Sequence, residues 1–445
     1  MTGRNVSLSV YQAEHGFVAV LRDLLLYGLL FHLFVYLTLF SDVNEYNVGV
    51  LSNAGNLYNQ LLLPTVFLVA CFLAHAYRVP PGVMLSAGLA ITPFLLMALL
   101  SAVWSDYPEL TIRRASHELI ELGTLAVLAT CFSNTKVLLA IFFRAFLVMI
   151  CLDLVSAAVF PDAFTIGGFA GIHSDKNIAG QFFFVALPVC LLGTFDKEVS
   201  GSRLLGLFAL VSCAVMLFLT ESKTSIGATP VAFLAVLIMR GLYHRKSAVR
   251  LVVLMCCVVG LLFAVAALVT WDADEILEVL VRDPTLTGRD MIWRFASSKF
   301  DGSPLIGVGY GAIWQVGPQI EAALKEAGLY FVFNEAHNGY LEIAAQLGIV
   351  GIICMAIFLA VSLVNAVSFW STIEKNSING AGALTLYVFF GLLIFNVTES
   401  LYFQTGVGNF STLIFLGAFL ASRKKALKKA HGRGYVPLAA SARAI

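Results

Sequence analysis

The chain has 445 residues, 59% of them hydrophobic and 12% charged, with a formal net charge of +1. Soluble domains keep roughly a quarter of their residues charged, so this composition excludes a soluble fold, and the near-neutral balance excludes nucleic acid as a partner, which requires a basic surface. All eight cysteines (Cys71, Cys131, Cys151, Cys190, Cys213, Cys256, Cys257, Cys354) lie within apolar runs, so neither a disulfide framework nor a zinc site is readable.

Apolar runs of about 18 to 25 residues cross a bilayer as helices. In chain order they fall at 22–40, 58–77, 82–104, 115–132, 136–160, 178–196, 203–220, 224–241, 249–271, 340–369, 380–399 and 407–422. The expected fold class is therefore an all-α polytopic membrane protein with about twelve transmembrane helices. The first run is followed by no small-residue cleavage site and is read as a retained span. The fourth run carries Glu118 and Glu121, and the eighth is interrupted by Pro230. The expected organisation is helices one to nine over 1–271, a large loop or cap over 272–337, helices ten to twelve over 338–422, and a basic tail over 423–445.

Lys and Arg beside the span ends set the orientation. The tail with Arg423, Lys424, Lys425, Lys428, Lys429 and Arg433 is expected to be cytoplasmic, and an even span count places the N-terminus there too. Short outer loops then hold only Arg113, Arg114, Lys176 and Lys223. Each of these stands in a polar cluster: Arg113-Arg114, His173-Ser174-Asp175-Lys176-Asn177, and Glu221-Ser222-Lys223-Thr224-Ser225. The long loop adds Thr287-Gly288-Arg289 and Glu335-Ala336-His337-Asn338, so the polar chemistry gathers at one face. Within that loop 274–282, 288–300 and 319–327 read as short amphipathic helices. Its aromatics, among them Trp293 and Trp314, predict a folded cap.

Several of these segments resemble the O-antigen ligase and Wzy-type polymerase superfamily of bacterial envelope glycosyltransferases. They are Trp104-Ser105-Asp106-Tyr107-Pro108, the 220–225 stretch, Leu286-Thr287-Gly288-Arg289 with Trp293, and Ser303-Pro304-Leu305-Ile306-Gly307-Val308-Gly309-Tyr310-Gly311. Ala336-His337-Asn338-Gly339-Tyr340-Leu341-Glu342 and the Gly348-Ile349-Val350-Gly351 step complete the set. The block at 173–177 is most similar to the exopolysaccharide polymerase branch, as in succinoglycan-type synthesis. The resemblance implies a GT-C-like fold in the bacterial inner membrane, with its active face periplasmic. It also implies a reaction without metal or other cofactor, in which a glycan passes from undecaprenyl diphosphate to a sugar hydroxyl. The partners implied are lipid-linked oligosaccharide donor and acceptor, the bilayer, and flippase and chain-length regulator proteins. In a polymerase the acceptor is another lipid-linked repeat unit; in a ligase it is the lipid A core. Ligases of this superfamily commonly have an arginine where this chain has Lys223, and lysine lacks the bidentate fork.

A diphosphate leaving group needs cations where its charge develops. Arg289, Lys223, Arg113, Arg114 and Lys176 are the candidates. His337 is the expected general base, oriented by Asn338 and Glu335. A helix start favours its neutral form, nearby arginines push the same way, and Glu335 opposes them. His173, Asp175, Asn177 and Glu221 are expected in support. Structural alternatives stand beside these: Arg113 and Arg114 snorkelling to head groups, Thr287 and Asp290 capping a helix, and 173–177 forming a turn into the sixth span. Gly307, Gly309 and Gly311 follow no strand, so they imply a tight loop, not a dinucleotide site. Asp272-Ala273-Asp274 is a weak divalent-metal candidate. A transporter or flippase is the competing function, but transporters place ionisable residues near the midplane, whereas these clusters lie at one face.

Overall fold

The computed structural model describes residues 16–35, 57–165, 167–243, 289–314, 316, 335–372, 380–404 and 406–431. Within them the fold is almost wholly helical. The first half comprises α1 (Gly16–Phe34), α2 (Leu57–Ala76), α3 (Pro81–Gly88), α4 (Thr92–Leu100), α5 (Pro108–Ala129), α6 (Thr135–Val159) and a two-stranded hairpin, β1 (Phe164–Thr165) with β2 (Gly168–Phe169). The chain continues through α7 (Lys176–Phe195), α8 (Lys197–Ser200), α9 (Arg203–Leu219), α10 (Lys223–Tyr243), α11 (Arg289–Gly302), α12 (Gly339–Thr372), α13 (Gly380–Thr398) and α14 (Gly408–His431). Among the described residues six helices are long and apolar enough to cross a membrane: α1, α6, α7, α10, α12 and α13, or seven if the bent α3–α4 pair is one span. The chain is thus an all-α, multi-pass membrane protein; twelve spans are not counted among the described residues, and the expected ninth lies outside them.

Local sequence explains where the helices depart from expectation. The single run expected over 82–104 is two helices bent by 68°. Pro93, at the second position of α4, lacks an amide hydrogen and crowds the preceding turn. α5 begins at Pro108, a favoured first helical residue, seven residues before the expected span. Arg113 and Arg114 therefore sit inside a helix, not in a loop. Pro230 leaves α10 continuous. α14 runs on through the basic stretch to His431, because Lys, Arg and Ala favour helix.

α7 lies at the centre and is buried on every side: Phe182, Phe183, Phe184 and Val185 have no exposed surface. Phe182 meets Phe34 and Phe146 edge-on, and Phe184 stacks on Tyr387 of α13 at 4.5 Å. Among lipid-embedded helices small residues allow backbones to approach; a side chain at Gly206 would strike the Gly193 backbone at 2.6 Å, which brings α9 against α7.

The loop over 303–311 folds back onto a break in α12. Gly348 there has φ +62, and a Cβ on it would collide with the backbone of Leu305 and Ile306. The freed amides of Ile349 and Val350 donate to the carbonyls of Pro304 and Leu305 at 2.9 and 3.1 Å. Gly307, Gly309 and Gly311 all have positive φ, as a tight loop requires. Beside this loop, Ile292, Phe295 and Ala296 of α11 pack with Ile313, Trp314, Ala336 and Ala345 in a small second core. α11 is the expected helix over 288–300; those over 274–282 and 319–327 lie outside the described residues.

Candidate active site

Residues of α10, α11 and the start of α12 converge on the short segment after α13. At the start of α10, Thr224 Oγ1 meets Thr398 Oγ1 at 3.0 Å. On α11, Arg289 donates through Nη1 to the Thr398 carbonyl and through Nη2 to Glu399 Oε1, the latter at 3.2 Å. Ahead of α12, the Asn338 amide donates to Ser400 Oγ and the Gly339 amide to the Glu399 carbonyl, both at 3.0 Å. Asn396 fixes this hub from within by accepting the amides of Leu401 and Tyr402 at 2.9 and 3.0 Å.

Glu399, 7% exposed, links the two principal candidates. Its Oε1 pairs with Arg289, while its Oε2 stands 3.3 Å from His337 Nδ1. Glu335 Oε1 approaches the same Nδ1 at 2.9 Å. Ionised carboxylates only accept, so Nδ1 carries a proton; Nε2 has no partner among the described residues. Burial works against charge on His337, but the hydrogen bonds and negative charge of Glu335 and Glu399 outweigh it and push the imidazole up to about 9. The neutral imidazole expected from the sequence gives way to a charged one, because Arg289 is paired with Glu399 and two carboxylates outweigh the helix start. His337 also has φ +50, a left-handed conformation that costs roughly 1–2 kcal/mol for a side-chain-bearing residue. Such strain gathers where a site demands it.

The remaining candidates divide. Lys223 is the first residue of α10 and exposed, one position before Thr224, and so stands at the hub's edge. Asn338 caps α12, accepting the amides of Tyr340 and Leu341 at 3.1 and 3.0 Å. Arg114 is committed elsewhere: its Nη1 donates to the carbonyls of Gly311 and Trp314, the second at 3.0 Å. Arg113 beside it is exposed. Asp175 caps α7 through the amides of Asn177 and Ile178, and Lys176 Nζ donates to Gly167 O at 2.7 Å. His173 is buried; its Nδ1 lies 2.7 Å from the Phe34 carbonyl and its Nε2 3.2 Å from Asp153 Oδ2. The 173–177 block is thus the turn into α7 that was the structural alternative. Glu221 is exposed in a left-handed turn between α9 and α10, where Gly168 of the hairpin packs against it. That packing puts the hairpin at the same end of the bundle as the hub, whereas Lys136 pairs with Glu198 at 2.9 Å at the opposite end of α6.

Glu335, His337 and Glu399 could also present three donor atoms to a metal ion, all within 4.8 Å of one another. A metal bound there would have to displace the Nδ1 proton and compete with Arg289 for Glu399. Asp272 and Asp274 lie outside the described residues. Sequence reasoning missed Glu399. The available signal was an acidic residue closing the apolar run of α13 within the polar string Asn396-Val397-Thr398-Glu399-Ser400.

The O-antigen ligase family matches residues 208–356, about a third of the chain. This stretch contains Lys223, Arg289, Glu335 and His337 and ends before Glu399. The exopolysaccharide production protein ExoQ of Rhizobium meliloti (strain 1021) is 26% identical over 282 residues. The alignment covers 60% of this chain and 63% of that protein, a little under two thirds of its length. Over these stretches the chain is similar to the O-antigen ligase family and to an exopolysaccharide production protein.

Proposed function

We propose that this protein polymerises lipid-linked glycans for an exopolysaccharide, transferring the growing glycan from undecaprenyl diphosphate to a hydroxyl of a lipid-linked repeat unit. The observation that carries this reading is the hub at 398–400, which gathers Arg289, His337 and the start of α10 with Lys223 around Glu399. The starts of α10 and α12 present positive dipole ends toward one place, a favourable setting for a diphosphate.

In the proposed reaction the acceptor oxygen bonds to the anomeric carbon as the bond from that carbon to the phosphate oxygen breaks. The electron pair leaves on the lipid diphosphate, beside Lys223 and the Arg289 N–H groups that Thr398 and Glu399 do not use. The acceptor proton goes to His337 Nε2, while Glu335 and Glu399 hold Nδ1–H and orient the ring, as a carboxylate orients a catalytic histidine. No nucleotide is required, because the lipid diphosphate is itself the activated leaving group.

The orientation belongs to the same proposal: inner membrane, both termini cytoplasmic and the hub periplasmic. Similarity to ExoQ, together with Lys223 where ligases commonly carry arginine, supports a polymerase over a ligase.

The test is a strain lacking this protein, with its lipid-linked intermediates resolved by size. Accumulated single repeat units are expected. Long lipid-linked polymer with none on lipid A would make the protein a ligase, and unchanged intermediates would overturn glycan transfer.

A further inference from the structure

We propose that Glu342 is a positioning residue for His337, acting with Trp293 by fixing the peptide groups of Ala336 immediately before it. The inference rests on the reading above, in which His337 receives the acceptor proton.

His337 occupies a left-handed turn that its own side chain does not favour, so neighbouring contacts must hold it. Ala336 has no exposed surface, and both of its backbone polar groups are taken by side chains. Its amide donates to Glu342 Oε2 at 2.6 Å, and its carbonyl accepts from Trp293 Nε1 at 3.0 Å. Trp293 lies one helical turn beyond Arg289 on α11, so that helix reaches Glu399 with one side chain and the histidine's flank with the other. Glu342 lies in the first turn of α12, where a carboxylate reaches back toward the amides before the helix.

Glu342 is 2% exposed and serves three N–H donors. Besides Ala336, it accepts from Trp314 Nε1 at 2.8 and 3.0 Å and from Gln346 Nε2 at 2.5 Å. Gln346 Oε1 in turn accepts the Gly311 amide at 2.8 Å, and Arg114 holds the carbonyls of Gly311 and Trp314. The 303–314 loop is thereby tied through one carboxylate to the residue before His337. Both oxygens are needed: glutamine offers a single acceptor oxygen, and its NH₂ would face an N–H donor at the other position.

The experiment uses purified full-length protein polymerising lipid-linked repeat units, with Glu342→Gln and Trp293→Phe made alone and combined with His337→Ala. Trp293→Phe removes the indole donor and leaves a smaller aromatic ring at a half-buried position, so it remains informative if Glu342→Gln folds poorly. Each single variant is expected to lower kcat about 10- to 100-fold, the scale of a small misplacement of a reacting group. KM for the donor should stay within about two-fold, because the Arg289 contacts are untouched. Added to His337→Ala, neither change should lower the residual turnover much further, since residues acting as a unit are non-additive. Normal kcat in both single variants would overturn the inference, as would an undiminished loss in the His337→Ala background. Normal turnover in His337→Ala alone would instead overturn the underlying reading of His337.

Discussion

Glu399 Oε2 stands 3.3 Å from His337 Nδ1, so the residue read as the base and the carboxylate closing α13 form one unit. The other oxygen of that carboxylate holds Arg289. Replacing Glu399 by Gln keeps its size but removes the charge from both contacts. The imidazole is expected to titrate lower than in the parent protein because one of its two anions is gone, and at pH 10, where His337 is neutral in both proteins, turnover is expected to fall about tenfold because ring and guanidinium lose their shared anchor. Titration of His337 by NMR in both proteins checks this; an unchanged imidazole would show that Glu399 does not govern it.

The raised imidazole sets the pH dependence. A base must be neutral, and with a value of about 9 only about one His337 in a hundred is neutral at pH 7. Turnover limited by the chemical step should therefore rise with pH across the neutral range and level off near 9. His337→Ala should remove this limb and cost roughly 10²–10⁴ in rate. The rate measured from pH 6 to 10 tests it: a fall with rising pH would make the imidazolium, not the imidazole, the working form. A chelator should leave the rate unchanged; a loss restored by one divalent ion would make Glu335, His337 and Glu399 metal ligands.

Arg289 reaches Glu399 and the Thr398 carbonyl with its fork. Arg289→Lys is expected to lower turnover strongly and raise donor KM, because a lysine cannot meet two acceptors with fixed geometry. Lys223→Arg should be tolerated. Donor KM values for the two variants check this, and normal kinetics in Arg289→Ala at normal protein levels would remove Arg289 from the mechanism.

Arg114 supports the 303–314 loop instead of presenting a free cation. Arg114→Ala should therefore lower thermal stability, because two part-buried carbonyls lose their donor at about 1 kcal/mol each. A weakened donor KM with unchanged melting would return Arg114 to the diphosphate site.

Topology is open to a direct test. A reporter active only outside the cytoplasm, fused after Gly302 at the end of α11, is expected to be active, and one fused after His431 silent. The reverse pattern would invert the orientation drawn from the basic residues.

The sequence by itself determined the membrane class and most helix positions. A helix satisfies its own backbone hydrogen bonds, so an apolar run of sufficient length specifies a span without reference to neighbours. The α2, α6, α7 and α13 boundaries fall within two residues of the apolar runs for that reason. The loop glycines were legible too, since positive φ is a local demand. Arg289, Lys223 and His337 were legible only as members of polar clusters at one face. What they do there was decided by tertiary structure, because pairing and pKa depend on which charges packing brings within a few ångströms. Glu399 meets residues 62 and 110 positions away only because α13 ends beside α11 and the start of α12. That meeting commits Arg289 to a carboxylate and reverses the charge state expected of His337. By the same kind of long-range contact, Arg114 becomes a clamp on a loop that lies about 200 residues further along the chain.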